Sequence, residues 1–289
     1  MRHFESSFVT HDRLQLYVQG WQPDGAARAA LCLIHGLGEH SSRYAHVGAA
    51  LSCAGYSLTG FDLRGHGRSE GPRGHSPSFE AWMQDIDGLL RLTAERFPHR
   101  PLFLYGHSLG GTLIINYALR RQPAIGGAIV TAPGLKTALE HQKFKLTLVR
   151  LLARIMPAVA LPTGLDPQSL SRDPAVVAAY VRDPLVHDRL SLGAALGLLQ
   201  SVRYAFDHAA RFNVPLLLMH GGSDRLVFPA GSREFASFVP QTCTLRLWDG
   251  LYHEIHNEPE QRQVIDTITS WLGSMTARVS PGDGRDAAH

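Results

Sequence analysis

The sequence contains little cysteine, and its cysteines are not arranged for a metal site. The three cysteines among 289 residues, Cys32, Cys53 and Cys243, are widely separated and form no C-x-x-C motif. Cysteine-based metal and redox sites typically use closely spaced pairs, so the spacing here favours ordinary thiols over either class of site. We expect three free thiols that are buried in the fold of a protein from a reducing compartment.

Long apolar runs and a large net charge are also missing. No window approaches the roughly 18 uninterrupted apolar residues of a membrane-spanning helix, and residues 1–5 lack the apolar segment of a secretory signal. Charged residues make up 18% of the chain and the net charge is only +3, which is too little to indicate a nucleic-acid partner. An apolar content of 44% is ordinary for a globular protein, so we expect a cytoplasmic protein with a full core.

Segments with strand patterns alternate with helical segments along most of the chain. Two alternating segments, 4–10 and 14–21, predict a half-exposed hairpin. Further strands, several of them continuous apolar runs, are predicted at 29–35, 56–62, 128–132, 214–220 and 244–248, and directly before Gly106. Helices are predicted at 44–54, 78–97 and 259–272, and directly after Ser108. This alternation with short connections predicts an α/β fold with a mainly parallel, doubly wound sheet.

Two regions interrupt the alternation. Residues 135–207 occupy a connection for which about a dozen residues would suffice, and their pattern is almost wholly helical. We interpret them as a helical cap, or lid, over the strand ends, with residues 1–134 and 208–275 forming the core. Residues 276–289 include Pro281 and Gly282 and are predicted to be a disordered C-terminal tail.

The stretch Gly106-His107-Ser108-Leu109-Gly110 indicates a nucleophilic serine. It follows an apolar strand and leads directly into a helix-forming run, which is the context of a nucleophile elbow. In such a turn the serine has a strained backbone, so the residues two before and two after it must lack a side chain. Gly106 and Gly110 meet this requirement. The alternative is a glycine-rich turn with a capping serine.

A serine nucleophile needs a base, and the base needs an orienting carboxylate. In a sheet of this type these residues follow one another in the order serine, acid, histidine. Asp224 follows a buried strand, and both His253 and His256 follow the last strand. We predict Asp224 and His253, because His253 is the nearer of the two histidines to the strand end. Asp249 is the alternative acid, although its position suits a turn better.

Acyl transfer at Ser108 also needs two backbone N–H groups aimed at the oxyanion. Leu109 supplies one of them, at the positive end of the helix that follows the nucleophile. The loop at 35–38 should supply the other. We predict the N–H of Leu37, because the glycines on either side of it let the backbone approach the substrate.

Five motifs surround these residues. They are His35-Gly-Leu-Gly-Glu-His-Ser-Ser-Arg-Tyr44, Phe61-Asp-Leu-Arg-Gly-His-Gly-Arg-Ser-Glu-Gly71, Gly106-His-Ser-Leu-Gly-Gly111, Gly222-Ser-Asp-Arg-Leu-Val227 and Tyr252-His-Glu-Ile-His-Asn-Glu258. Together they resemble the motifs of the monoacylglycerol lipases, within the α/β-hydrolase superfamily. The resemblance extends from about residue 5 to residue 272 and weakens within the cap. It implies the α/β-hydrolase fold and the same triad and oxyanion donors.

The resemblance also implies a role for residues that spacing alone does not single out. Glu39, Arg43 and His256 are expected to line a small polar pocket for the glycerol hydroxyls. The alternative is that Glu39 only pairs with Arg43 and holds the loop. Leu37 departs from the smaller residue common at its position, which is expected to narrow the site.

The cap contains a basic amphipathic segment. Its apolar residues are Phe144, Leu148, Leu151, Leu152, Ile155 and Val159, and its basic residues are Lys143, Arg150 and Arg154. Such a helix can lie on an anionic membrane surface and admit a lipid from it. The alternative is that the apolar face packs onto the body of the protein while the basic face is merely solvated.

We therefore expect a serine carboxylic ester hydrolase that acts on monoacylglycerols through an acyl-enzyme, without a metal or organic cofactor. The substrate is a small-molecule lipid ester, and transient contact with a membrane surface through the cap is expected. Alternatives on the same triad are a lysophospholipase, a general short- or medium-chain carboxylesterase, a thioesterase or a cofactor-free perhydrolase. A ligand-binding receptor with this fold is the alternative outside enzymes. We make no prediction of oligomeric state.

Overall fold

The computed structural model describes residues 1–137 and 143–279. Within these residues the strands are β1 (Arg2–Val9), β2 (Gln15–Gln22), β3 (Ala30–Ile34), β4 (Ser57–Phe61), β5 (Leu102–His107), β6 (Gly127–Thr131), β7 (Ala160–Pro162), β8 (Arg189–Ser191), β9 (Leu216–Gly221) and β10 (Cys243–Trp248). The α-helices are α1 (Ala45–Cys53), α2 (Phe79–Arg96), α3 (Leu109–Arg121), α4 (Lys143–Ile155), α5 (Pro174–Arg182), α6 (Leu192–Asp207), α7 (Pro229–Phe238) and α8 (Gln261–Val279).

One mainly parallel sheet organises the described residues. Its strand order is β1-β2-β4-β3-β5-β6-β9-β10. The hairpin β1-β2 and the pair β2-β4 are antiparallel, and the other neighbours are parallel. The chain crosses from β4 back over β3 to β5, so the strand order reverses beside β3. Open α/β sheets bind ligands at such a reversal, outside the carboxyl ends of the strands, and here the loop at 35–38 meets the turn at Ser108.

The sheet is covered by helices on both faces, which explains the apolar runs of its strands. Every residue of β3, β4 and β6 is buried. One apolar layer contains Trp82 of α2 and Leu113 of α3, and the other contains Val47 of α1 and Ile268 of α8. The predicted α/β fold with a mainly parallel sheet is therefore confirmed.

The segment predicted as a cap contains α4, α5 and α6, but it is not wholly helical. Strands β7 and β8 form a short antiparallel pair within it, which the prediction of an almost wholly helical segment did not name. Backbone hydrogen bonds attach the segment to the loops of the core. The N–H of His187 donates to the Gly38 carbonyl over 2.9 Å, and the N–H of Glu254 donates to the Leu170 carbonyl over 2.8 Å.

Two helices differ from the sequence-based prediction. Helix α7 was missed, because its ten residues include glycine and two serines and have a weak helical pattern. Helix α8 is longer than predicted and reaches Val279, so the predicted tail began too early. Met275 and Thr276 are only 7% exposed, and packing of this last turn carries the helix past Gly273. Residues 280–289 of the predicted tail lie outside the described residues.

The cysteines are free, as predicted, but not all of them are buried. Cys32 lies inside the core and Cys243 is half-buried, whereas Cys53, at the end of α1, is exposed. The expectation of three buried thiols was therefore wrong for Cys53. Across residues 1–137 and 143–279, no helix combines the length and apolar character needed to cross a membrane.

Candidate active site

Ser108 lies in a sharp turn between β5 and α3. Its backbone has φ 52° and ψ −114°, a left-handed conformation that non-glycine residues adopt at a cost of about 1–3 kcal/mol. A Cβ atom at Gly110 would lie 2.0 Å from the Ile34 carbonyl oxygen, and one at Gly106 would lie 2.6 Å from the Gly110 carbonyl oxygen. The two glycines are therefore required by close packing of the turn against β3 and against itself, and the serine is held half-exposed above the sheet.

The structure brings Ser108, His253 and Asp224 together, although they are far apart in sequence. The Ser108 hydroxyl lies 3.0 Å from His253 Nε2, and His253 Nδ1 lies 2.7 Å from Asp224 Oδ2. The second oxygen of Asp224 accepts hydrogen bonds from the backbone N–H groups of Leu226 and Val227, over 2.8 and 3.0 Å. Both partners of Ser108 lie in loops that follow strands β9 and β10, as the order serine, acid, histidine predicts.

This arrangement is electrostatically suited to proton transfer. Burial alone would raise the pKa of Asp224, but the charge of His253 and the hydrogen bonds from His220 and His253 hold that pKa well below its usual range. Burial alone would lower the pKa of His253, but the charge of Asp224 and the hydrogen bond to it outweigh burial, so the pKa of His253 is raised. An ionised Asp224 therefore keeps the proton of His253 on Nδ1 and leaves Nε2 free to accept the proton of Ser108.

The alternative acid and the alternative base lie elsewhere. Asp249 is exposed, in the turn that leads to Gly250 with its φ of 79°. His256 is fully buried, and its ring stacks on Tyr44 with centroids 4.7 Å apart. Burial lowers the pKa of His256 to about 3. Of the two candidate bases, it is His253 and not His256 that lies within hydrogen-bond distance of both Ser108 Oγ and Asp224 Oδ2.

The predicted oxyanion donors lie on the two loops that flank Ser108. Leu109 is the first residue of α3, where a backbone N–H has no acceptor within the helix. Leu37 is half-buried on the loop after β3. This loop packs against the elbow, because a Cβ atom at Gly36 would lie 3.3 Å from the Ser108 Cβ. Gly38, with a φ of 77°, turns the chain on the other side of Leu37.

Arg43 is the centre of a buried ionic cluster beside these loops. Its guanidinium donates to both oxygens of Glu254, over 2.5 and 2.7 Å, and to Glu39 Oε2 over 2.8 Å. The other oxygen of Glu39 accepts from the Gly36 N–H over 2.6 Å and from the Tyr44 hydroxyl over 2.7 Å. Arg43 thus connects the loop that follows β3, which contains Gly36 and Glu39, to the residue that follows His253.

The predicted polar pocket is therefore already occupied by its own side chains. Glu39, Arg43 and Glu254 have exposed side-chain fractions of only 3%, 10% and 2%. Both ring nitrogens of His256 lack a hydrogen-bond partner among the described residues, but its ring is fully buried. The geometry fits the alternative reading for Glu39 and Arg43, and contact of the three residues with glycerol stays a prediction.

Three side chains at this site were not found from the sequence. His220, on β9, lies 3.1 Å from Asp224 Oδ2, and Glu254 chelates Arg43. Tyr180 of α5 covers Arg43, with its ring centroid 4.8 Å from the guanidinium carbon. His220 did have a signal, because it is a polar residue near the end of an apolar strand. Tyr180 had none, since nothing in its local sequence indicates that the cap brings it to Arg43.

A cavity of about 310 Å³ lies between the loop at 35–38 and the cap. Leu37 lines it on the core side, and Tyr180, Val186 and His187 are among the cap residues that line the other side. This volume is at the lower end of the range for small-molecule sites, about 300–1,000 Å³. The cavity offers space for a small substrate group next to the predicted oxyanion donor.

Comparison with known proteins agrees with this fold. Residues 25–260 match the family model described as serine aminopeptidase, S33. A monoacylglycerol lipase from Mycolicibacterium smegmatis is 35% identical over 272 residues, which cover 93% of this chain and 97% of that enzyme. The crystal structure of the Paleococcus ferrophilus monoacylglycerol lipase is 35% identical and has a TM-score of 0.81, covering 95% of this chain and 100% of that one.

A further relative is much longer than this chain. An uncharacterized abhydrolase domain-containing protein from Dictyostelium discoideum is 41% identical over 273 residues, which are 92% of this chain but only 28% of that protein. The fold and these matches define an α/β-hydrolase. The chain belongs to the serine aminopeptidase S33 family, it is a serine hydrolase, and the predicted resemblance to the monoacylglycerol lipases is confirmed.

Proposed function

We propose that this serine hydrolase cleaves the ester bond of monoacylglycerols, with Ser108 as nucleophile, His253 as general base and Asp224 as the orienting carboxylate. The observation that carries the proposal is the continuous chain of hydrogen bonds from Ser108 Oγ through His253 to Asp224, at 3.0 and 2.7 Å. Two monoacylglycerol lipases, each of which matches nearly the whole chain, support the choice of substrate.

The first half of the reaction transfers the acyl group to Ser108. His253 Nε2 accepts the hydroxyl proton while Ser108 Oγ attacks the ester carbonyl. The N–H groups of Leu37 and Leu109 stabilise the oxyanion of the tetrahedral intermediate; loss of one such donor typically costs about 10²–10³ in kcat. The imidazolium of His253, stabilised by Asp224, then gives its proton to the glycerol oxygen, and glycerol leaves.

The second half releases the fatty acid. Water enters in place of glycerol, and His253 removes a proton from it as it attacks the acyl-enzyme. The same N–H groups stabilise the second intermediate. Collapse of this intermediate returns the proton to Ser108 Oγ and frees the carboxylic acid.

The buried cluster around Arg43 supports the reaction indirectly. Because Glu39 accepts the N–H of Gly36 and also binds Arg43, its carboxylate fixes the backbone on which the Leu37 N–H is presented. Arg43 in turn holds Glu254, the neighbour of His253. We assign Glu39 and Arg43 the role of fixing the positions of these two loops relative to each other. We assign contact with the glycerol group to the cavity beside Leu37.

The cap offers a surface for docking on lipid. Leu148, Leu151 and Ile155 of α4 are 43%, 55% and 71% exposed, and Arg150 and Arg154 are exposed beside them. Leu152, which the sequence placed on the same apolar face, is half-buried, and α4 contacts α6 within the cap. Exposed apolar and cationic side chains together favour an anionic lipid surface.

The substrate is tested with a series of 1-monoacylglycerols of increasing chain length, p-nitrophenyl esters and a lysophospholipid, with Ser108→Ala as control. We expect the highest kcat/KM for medium or long monoacylglycerols and complete loss in Ser108→Ala. A fluorophosphonate probe should label the wild-type protein at Ser108. Turnover of short activated esters alone would refute the monoacylglycerol assignment, and folded protein without labelling would favour the receptor alternative.

Docking on lipid is tested with Leu151→Asp/Ile155→Asp. We expect a larger loss of activity on a monoacylglycerol in anionic liposomes than on a soluble p-nitrophenyl ester. Arg203→Ala, which changes a surface residue of α6 that is 86% exposed, serves as the control. Equal losses on both substrates would contradict a docking role for α4.

A further inference from the structure

His220 is a second histidine in contact with the predicted catalytic acid. It lies on β9, four residues before Asp224, and its side chain is fully buried. Its Nε2 lies 3.1 Å from Asp224 Oδ2 and 3.1 Å from the Val227 carbonyl oxygen. Asp224 Oδ2 is the same oxygen that accepts from His253 Nδ1.

The chemistry of its neighbours defines where His220 carries hydrogen. An ionised carboxylate and a carbonyl group can only accept hydrogen bonds, so Nε2 must carry the hydrogen and donate it between them. On the other side of the ring, Nδ1 lies 2.7 Å from the hydroxyl of Ser232, which is fully buried on α7. Both ring nitrogens are therefore engaged, and the imidazole cannot rotate without leaving buried polar groups unsatisfied.

Through these contacts the ring of His220 joins three parts of the fold. The side chain belongs to β9. Its Nδ1 is hydrogen-bonded to Ser232 of α7, and its Nε2 is hydrogen-bonded to Asp224 and Val227 in the loop that follows β9. The carboxylate of Asp224 thus has four donors: His253 and His220 on Oδ2, and two backbone N–H groups on Oδ1. Removal of the His220 donor would leave Oδ2 with His253 alone.

We propose that His220 is a positioning residue for ester hydrolysis, which orients the Asp224 carboxylate and shares its charge so that His253 stays poised as the base. Two effects follow from this role. The fixed carboxylate holds His253 Nε2 at Ser108, which governs kcat more than KM. The shared charge weakens the pull of Asp224 on the His253 proton, so loss of His220 should make His253 more basic.

The test compares His220→Phe, which keeps a ring but has no donor, with His220→Gln, whose amide N–H reaches the position of Nε2. In His220→Phe we expect kcat for p-nitrophenyl butyrate to fall about 10- to 100-fold, by analogy with the loss found when the hydrogen-bond partner of a metal-binding histidine is removed. KM should change by less than about threefold. His220→Gln should recover most of the lost rate.

The pH profile separates this role from a merely structural one. The acid limb of kcat/KM should move to higher pH in His220→Phe, on the order of half a unit, and return towards the wild-type position in His220→Gln. The other titratable groups that act on His253 are Asp224, Glu254 and Glu39, which carry negative charge, and the buried histidines His107 and His256. They are the same in all variants, so the difference reports on His220.

Met219→Ala is the control for general destabilisation of β9. Met219 precedes His220, so its side chain lies on the opposite face of the sheet. It should lower the free energy of unfolding without moving the acid limb. Folded His220→Phe with unchanged kcat and an unchanged acid limb would overturn the proposal, as would a His220→Gln variant no better than His220→Phe.

Since the role of His220 depends on the proposed ester hydrolysis at Ser108, the two must be tested separately. Activity on p-nitrophenyl butyrate without activity on monoacylglycerols would refute only the substrate assignment.

If no ester is hydrolysed, the hydrogen-bonded Nδ1 proton of His253 can be followed by NMR as a function of pH. This measurement reports the same shift in the pKa of His253 directly. If His220→Phe does not fold, Ser232→Ala frees the ring from α7. A smaller upward shift of the acid limb then supports the proposal, and an unchanged limb overturns it.

Discussion

Arg43→Met should strongly destabilise this protein, because the substitution leaves two buried carboxylates without their cation. Glu254 and Glu39 have side-chain exposures of 2% and 3%, so water cannot replace the guanidinium. Removal of one partner from a buried ion pair typically costs about 3–5 kcal/mol. We expect a loss of that size in the free energy of unfolding at neutral pH, which corresponds to a Tm lower by roughly 10 °C.

The loss in free energy of unfolding caused by Arg43→Met should be larger at neutral pH than in acid. Burial alone would raise the pKa of Glu254, but the charge and hydrogen bonds of Arg43 hold it below its usual range in the wild-type protein. This carboxylate therefore stabilises the fold above the ordinary glutamate range, and that contribution is lost as the pH falls through its folded pKa. Without Arg43 the pKa of the buried Glu254 carboxyl group rises instead. The group then becomes neutral in acid, and the energetic penalty of an unpaired buried charge becomes smaller.

The assay is urea unfolding followed by tryptophan fluorescence, at about pH 8 and about pH 5. The difference between the wild-type protein and Arg43→Met should be larger at the higher pH. Adding Glu254→Gln to Arg43→Met should recover part of the loss. Arg68→Met is the control, because Arg68 and Glu5 form an ion pair that is about half exposed and such pairs contribute about 0–1 kcal/mol. A cost of Arg43→Met below about 1 kcal/mol, or one independent of pH, would refute this account.

Three further predictions concern the catalytic loops. The activity should fall in acid through a group with a pKa above the ordinary histidine value, because His253 must be neutral to accept a proton and its pKa is raised; a kcat/KM profile whose acid limb lies below that value would contradict this. Gly110→Ala should lower the free energy of unfolding in urea by at least about 2 kcal/mol, because the new Cβ would lie 2.0 Å from the Ile34 carbonyl oxygen. Gly25→Ala is the control: a Cβ there would have no atom within 4 Å, so the free energy of unfolding should change by less than about 0.5 kcal/mol. Glu39→Gln should reduce kcat/KM by the same factor for monoacylglycerols and p-nitrophenyl esters; a selective loss on monoacylglycerols would instead indicate contact with glycerol.

The sequence by itself determined the parts of this protein that depend on local pattern. Short continuous apolar runs that alternate with helical segments are typical of strands covered on both faces, so the parallel sheet could be predicted before any contact was known. Gly106 and Gly110 around Ser108 indicated the elbow because a left-handed turn leaves no room for side chains. The positions of Asp224 and His253 followed from chain order, since residues after parallel strands meet at one edge of the sheet.

The tertiary structure alone decided which side chains meet, because such contacts join residues that are distant along the chain. Arg43 and Glu254 are separated by 211 positions, so only the folded chain shows that they pair. The same packing shows that the side chains of Glu39 and Arg43 contact each other and are buried, so they do not line an open pocket. The placement of Tyr180 over Arg43 depends on how the cap packs. The length of α8 likewise depended on burial of its last turn, which the weak local signals around Gly273 did not reveal. Local propensity is a property of neighbouring residues, whereas these features depend on packing energies between elements, and only the folded chain brings those elements together.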